Sequence, residues 1–137
     1  MRFPGTVKKD GRFWLVEIPA FDARTQGRTK REALTMAEDL IETLADVKGF
    51  RATVYPGAGD AFELGANRIN VLLALLLRRQ RQRQGLTLAD AAAKLGQRSK
   101  NAYARYEQGK TRPTVETLEK LLRAIAPEQR IVWHFAA

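Results

Sequence analysis

The sequence predicts an α+β protein in two parts, a small β-β-β-α-β N-terminal domain followed by an all-α domain that closes on a short C-terminal strand. Three observations predict it. Apolar residues alternate in short runs between residues 3 and 18 and again from 50 to 54, the period of half-buried strands. From residue 67 onward they recur at three- and four-residue spacing, the period of helices. Between these stretches, residues 56–65 read PGAGDAFELG and carry neither period. The expected organisation is therefore a domain at 1–55, a linker at 56–66 and a second domain at 67–137.

The first domain opens with Phe3, Gly5 and Val7 in alternation, then Asp10-Gly11 as a hairpin signal, then Trp14, Val16 and Ile18 alternating against Leu15 and Glu17. A third strand is expected through residues 25–28. Thr29 and Glu32 have capping-box spacing, and Ala33, Ala37, Leu40, Ile41 and Leu44 form the apolar stripe of a helix running to about residue 47. Phe50, Ala52 and Val54 mark the last strand.

A helix from about 67 to 84 opens the second domain. Its first half, with Ile69, Val71, Leu72, Leu73, Leu75, Leu76 and Leu77, is apolar nearly all round, which calls for a second surface from the N-terminal domain or a partner chain. Its second half is the run Arg78 to Gln84, whose arginines suit either a solvated helix face or phosphate contact. Thr87 then caps a helix, with Asp90 three residues on to reach back and Leu88, Ala91, Ala92 and Leu95 on one face. Gly96 suits a helix C-terminus. Ser99 caps a second helix to about residue 108, with Tyr103, Tyr106 and Ala102 turned inward and Lys100, Asn101, Ala104 and Arg105 outward. Thr114 caps a further helix through Val115, Leu118, Leu121, Leu122 and Ile125, which Pro127 ends. Ile131, Trp133 and Phe135 alternate with Val132 and His134 as a terminal strand, which needs its own copy across a two-fold axis, or the N-terminal sheet, to satisfy its backbone.

Two short capped helices joined by a tight turn are the layout of a helix-turn-helix. The pieces Leu86-Thr87, Ala91, Leu95-Gly96, Arg105-Tyr106-Glu107-Gln108-Gly109-Lys110 and Pro113 resemble the Xre/Cro-like helix-turn-helix family. The resemblance implies binding of double-stranded operator DNA, with the helix after Ser99 as the recognition helix. Charge points the same way. The chain holds 24 Lys and Arg against 15 Asp and Glu, a formal +9. Residues 1–65 carry 10 basic and 10 acidic side chains, whereas residues 66–137 carry 14 basic and 5 acidic, so the entire excess lies with the motif. A basic domain with this motif is the footprint of a phosphate-backbone binder.

In the first domain, Val16-Glu17-Ile18-Pro19, Thr25-Gln26-Gly27 with Thr29, and Glu32-Ala33-Leu34 with Ala37 resemble the HicB antitoxin family, whose N-terminal domain is a partial ribonuclease-H-like fold. That resemblance implies a type II antitoxin that sequesters a small HicA-type, mRNA-cleaving toxin and represses its own operon.

The candidate DNA-binding residues are Ser99, Lys100, Asn101, Arg105, Lys110 and Arg112. Asn101 suits adenine, because its amide donates and accepts together. Lys100 and Arg105 suit guanine or phosphate, and Lys110 and Arg112 lie where backbone phosphates pass. Ser99 serves foremost as a cap, Tyr103 and Tyr106 as core, and Glu107 as a structural partner to backbone or an internal cation. Catalysis is not expected: His134 is the one histidine, the N-terminal acids do not converge as a two-metal site requires, and neither a phosphate-cradling glycine loop nor a nucleophile with its base is present. No cofactor and no metal site are expected. The absence of cysteine fits a reducing cytosol. The first residues lack the apolar core of a signal peptide, and the longest apolar run, Val71 to Leu77, is far short of the roughly 20 residues that cross a bilayer. A cytoplasmic homo-oligomer, dimer or tetramer, follows from two domains each too small to bury a large core. The alternative is a stand-alone repressor whose N-terminal domain dimerises or senses a ligand. An RNA-binding module ranks third, because no exposed aromatics are expected in the basic region for stacking on bases.

Overall fold

The computed structural model describes residues 1–136 and divides into two compact units, Met1–Leu76 and a second beginning at Leu77. The first unit carries strands β1 (Phe3–Asp10), β2 (Phe13–Ile18) and β3 (Ala23–Gly27), helix α1 (Lys30–Ala45), then strands β4 (Ala52–Pro56) and β5 (Ala61–Ala66). The strands form one antiparallel sheet in the order β3-β2-β1-β5-β4. The expected β-β-β-α-β order is therefore extended by one strand. Residues 61–66, read from composition as linker, are β5. Phe62 and Leu64 enter the core, and β5 sits between β1 and β4, so it completes the sheet.

Local chemistry sets these elements. Asp10 pairs with Phe13 across a two-residue turn in which Gly11 has φ +61°, a conformation glycine adopts without steric cost. The Thr29 hydroxyl accepts from the Glu32 N–H at 3.0 Å and starts α1. Ala33, Ala37 and Ile41, each four residues from the next, are the buried line of that helix. Beneath it lie Val7, Val16, Ile18, Ala52, Phe62 and Leu64, all buried on one face of the sheet. Gly5 stands opposite Phe62, and a Cβ there would lie 2.2 Å from the Phe62 ring, so the ring occupies the space a side chain would take. The other face displays Lys8, Glu17, Arg24 and Glu63, all exposed.

The β4 edge is closed. The outward N–H groups of Ala52 and Val54 donate to the carboxylates of Glu42 and Glu38, each at 3.0 Å, and Pro56, next in the same alternation, has no N–H to offer. Asn67 fixes the chain beyond β5. It exchanges bonds with the Arg51 backbone at 3.0 and 2.8 Å and donates to the Gly49 carbonyl at 2.9 Å.

Helix α2 (Ile69–Arg83) crosses the division between the units, and Val71, Leu72, Ala74, Leu75 and Leu76 in its first half are buried. Helices α3 (Leu88–Lys94), α4 (Lys100–Glu107) and α5 (Val115–Ile125) follow, with a core that includes Leu77, Ala91, Ala92, Tyr103, Leu118, Leu121 and Ile125. The expected terminal strand does not form. Residues 131–136 hold no regular structure, and Trp133 and Phe135 are 55% and 96% exposed. Alternation alone cannot hold a strand whose backbone has no neighbour to pair with.

Candidate nucleic-acid interface

The geometry of the second unit is set by matched starts and stops. Thr87 and Asp90 form a reciprocal capping box: Thr87 Oγ1 accepts from the Asp90 N–H at 3.0 Å, and an Asp90 carboxylate oxygen accepts from the Thr87 N–H at 2.9 Å. These bonds from Thr87 hold the Asp90 carboxyl below the ordinary carboxylate range. Ser99 and Thr114 cap α4 and α5 by accepting from Asn101 N–H at 3.2 Å and Thr117 N–H at 3.1 Å.

The stops are alike. At Gly85, Gly96 and Gly109, with φ of +69°, +71° and +70°, the chain turns left-handed just past α2, α3 and α4. The following residue in each case reaches back to the carbonyl five residues before it: Leu86 to Arg81 at 3.2 Å, Gln97 to Ala92 at 2.9 Å and Lys110 to Arg105 at 3.0 Å. This is the Schellman arrangement, which satisfies helix-end carbonyls and needs a residue without a Cβ at the turn. Of these, the Ser99 cap and the Gly109 stop fix where α4 begins and ends.

Tyr103 anchors α4. Its ring is fully buried, and Ala104 beside it is 7% exposed. Lys100, Asn101, Ala102 and Arg105 are exposed. Two alanines thus exchange the places expected for them. Ala104 lies inward because it falls on the same side of the helix as Tyr103 and Glu107, whereas Ala102 lies on the outer side, with Arg105 between it and Asn101. The outer face presents a carboxamide, a methyl group and a guanidinium together. Ser99 stands at its N-terminal edge as the cap, so its hydroxyl is engaged with the Asn101 N–H. Lys110 and Arg112 are exposed in the loop after α4, and that loop is tied to Arg105: its carbonyl accepts from Lys110 N–H at 3.0 Å and Thr111 N–H at 3.3 Å, and its Nε donates to Thr111 Oγ1 at 3.4 Å. Arg98, in the turn before Ser99, is a further exposed cation beside this face, a position that the capping signal at Ser99 obscured.

Arg81 lies elsewhere. One of the arginines whose role the sequence left open, it turns into the unit and makes a two-point contact with Glu107, at 2.7 and 2.9 Å, while its third guanidinium nitrogen donates to the Leu86 carbonyl at 2.8 Å. The bond to Glu107 raises the Arg81 pKa, keeping it cationic despite partial burial. Glu107 is the internal partner of a cation that the sequence suggested. Burial, with the Glu107 carboxylate near, drives the Tyr103 phenol far above its ordinary value.

In short, one helix of this unit offers a polar outer face on a buried tyrosine anchor, with cations on the turns at both ends. Residues 72–126 match a family described as helix-turn-helix domain, a span that contains α3, α4, α5 and most of α2. This match supports a C-terminal helix-turn-helix DNA-binding domain in the chain. No curated protein matches the chain. Among the described residues no helix is long and apolar enough to cross a membrane.

Proposed function

We propose that the protein is a sequence-specific transcriptional repressor that lays α4 in the major groove of a B-form operator as part of a dimer or tetramer. The observation that carries this reading is the outer face of α4, where Asn101, Ala102 and Arg105 are exposed and contribute nothing to the core. Asn101 is assigned to adenine, the Ala102 methyl to a thymine methyl, and Arg105 and Lys100 to guanine or phosphate. Lys110 and Arg112, with the Ser99 end of the helix, hold the phosphate backbone. The test is a titration of the whole protein against the duplex just upstream of its own gene, with a random duplex alongside, over several salt concentrations. Binding about a thousandfold tighter to the upstream duplex, with a steep salt slope, supports the reading. Equal weak binding to both refutes it.

We further propose that this repressor is an antitoxin of HicB type, whose N-terminal unit sequesters a HicA-type toxin. The strand and helix order of residues 3–56 and the charged sheet face opposite α1 support that role, and no reaction is assigned to this unit. Co-expression with a small basic protein encoded beside it tests the role. Rescue from growth arrest and a stable complex are expected; the absence of such a neighbour would favour a stand-alone repressor.

A further inference from the structure

We infer that residues 131–135 are a dimerisation strand, which pairs antiparallel with the same segment of a second copy about a two-fold axis through Trp133. The segment reads Ile-Val-Trp-His-Phe, and Ile131, Val132, Trp133 and Phe135 are 37%, 72%, 55% and 96% exposed. Four large apolar residues exposed in five positions form a surface that a monomer has no use for. The alternation separates them into one face of Ile131, Trp133 and Phe135 and another of Val132 and His134.

A second copy fits this segment best, because the pattern is self-complementary. Antiparallel pairing centred on Trp133 sets Ile131 opposite Phe135 and Val132 opposite His134, so the apolar residues of both copies fall on one face, as an isologous contact requires. Its position suits the duplex-reading role proposed above, on which its biological sense rests. Only residues 127–130 separate it from the end of α5 and Ala126. Two such tethers span up to about 28 Å when extended, which leaves room for two recognition helices about 34 Å apart on successive turns of the major groove. One sheet edge of the chain is already closed to an added strand, at β4, by Glu38, Glu42 and Pro56.

Magnitude sets the expected strength. Trp and Phe side chains bury at most about 150–250 Å² each, so the ribbon buries less than roughly 1,000 Å² in all, below the roughly 1,200–2,000 Å² of a stable dimer. The dimer is therefore weak in free solution, and a duplex that engages both α4 helices strengthens it.

The chain has no cysteine, so engineered thiols report pairing without background. Val132→Cys and His134→Cys, made singly in the full chain, keep every aromatic anchor. Mixed at about 100 μM under mild oxidant, they are expected to give the 132–134 cross-link in large excess over either self-link, because facing residues of antiparallel strands bring their Cα atoms within about 4.5–5.5 Å, inside disulfide range. Removal of residues 131–137 is expected to abolish concentration-dependent self-association in sedimentation. A statistical mixture of links, no links, or unchanged sedimentation after the deletion overturns the inference. So does a preferred link between His134→Cys and Thr25→Cys, which would place the segment on the β3 edge. None of these readouts involves DNA, so failure here is distinguishable from failure of the repressor reading.

Discussion

Arg81 grips Glu107 with two nitrogens of one guanidinium, Nε to Oε2 at 2.7 Å and Nη2 to Oε1 at 2.9 Å, and its remaining nitrogen holds the Leu86 carbonyl at 2.8 Å. A single side chain near the end of α2 thereby fixes the last residue of α4 and the approach to α3. Both partners are nearly dry, with side chains 12% and 5% exposed. Removing one partner strands a charge, which in such settings costs about 3–5 kcal/mol. Glu107→Leu and Arg81→Met are each expected to lower stability on that scale in urea denaturation, and the apolar double variant Arg81→Met with Glu107→Leu is expected to recover much of the loss. Additive single effects would show that the pair is not coupled.

Tyr103 makes the unit sensitive to alkali. Its phenol ionises far more readily in the unfolded chain, at about pH 10, than in the buried site. Below that pH both states hold the proton and the contribution to stability is constant. Above it the unfolded state releases the proton while the folded state keeps it, so stability falls as pH rises. Denaturation midpoints of wild type are expected to drop more steeply above about pH 10 than those of Tyr103→Phe. Parallel curves would remove Tyr103 as the cause.

On DNA, Asn101→Ala is expected to cost about 1–3 kcal/mol on the operator and little on random sequence, because a bidentate amide contact discriminates among bases. Arg112→Ala should weaken both duplexes alike and reduce the salt slope by about one, as loss of a phosphate contact does. Equal losses on both duplexes for Asn101→Ala would reassign that residue to the backbone.

The two carboxylates at the β4 edge give a local prediction. Glu38→Ala with Glu42→Ala frees the Val54 and Ala52 N–H groups that they hold. Hydrogen exchange at these two amides is expected to accelerate by about one to two orders of magnitude, the effect of losing a bond to a charged carboxylate worth about 1.5–3 kcal/mol. Self-association through the opened edge should also appear in light scattering. Unchanged exchange would show that other groups protect the edge.

Much of this was legible in the sequence because it is local. Thr29, Thr87, Ser99 and Thr114 were each readable as caps from one hydroxyl before an apolar repeat, and each accepts a backbone N–H as expected. What escaped depends on partners distant in sequence. Phe62 and Leu64 are too few to signal a strand among glycines, and β5 exists because β1 and β4 flank it. Ala102 and Ala104 are identical residues, so only the depth of Tyr103 decides which faces out. Arg81 lay hidden in a run of like charges, and its burial is set by Glu107, 26 residues on. The candidate residues of α4 were found because its ends were; Arg98 and the outward Ala102 had no signal of their own.

The Ser99 cap and the Gly109 stop that bound α4 use the backbone of Asn101 and Arg105, so the side chains of Asn101 and Ala102 take no part in them. On the repressor reading proposed above, a lineage could change which promoter is silenced by rewriting the exposed side chains of α4, while the joints of the domain stay as they are.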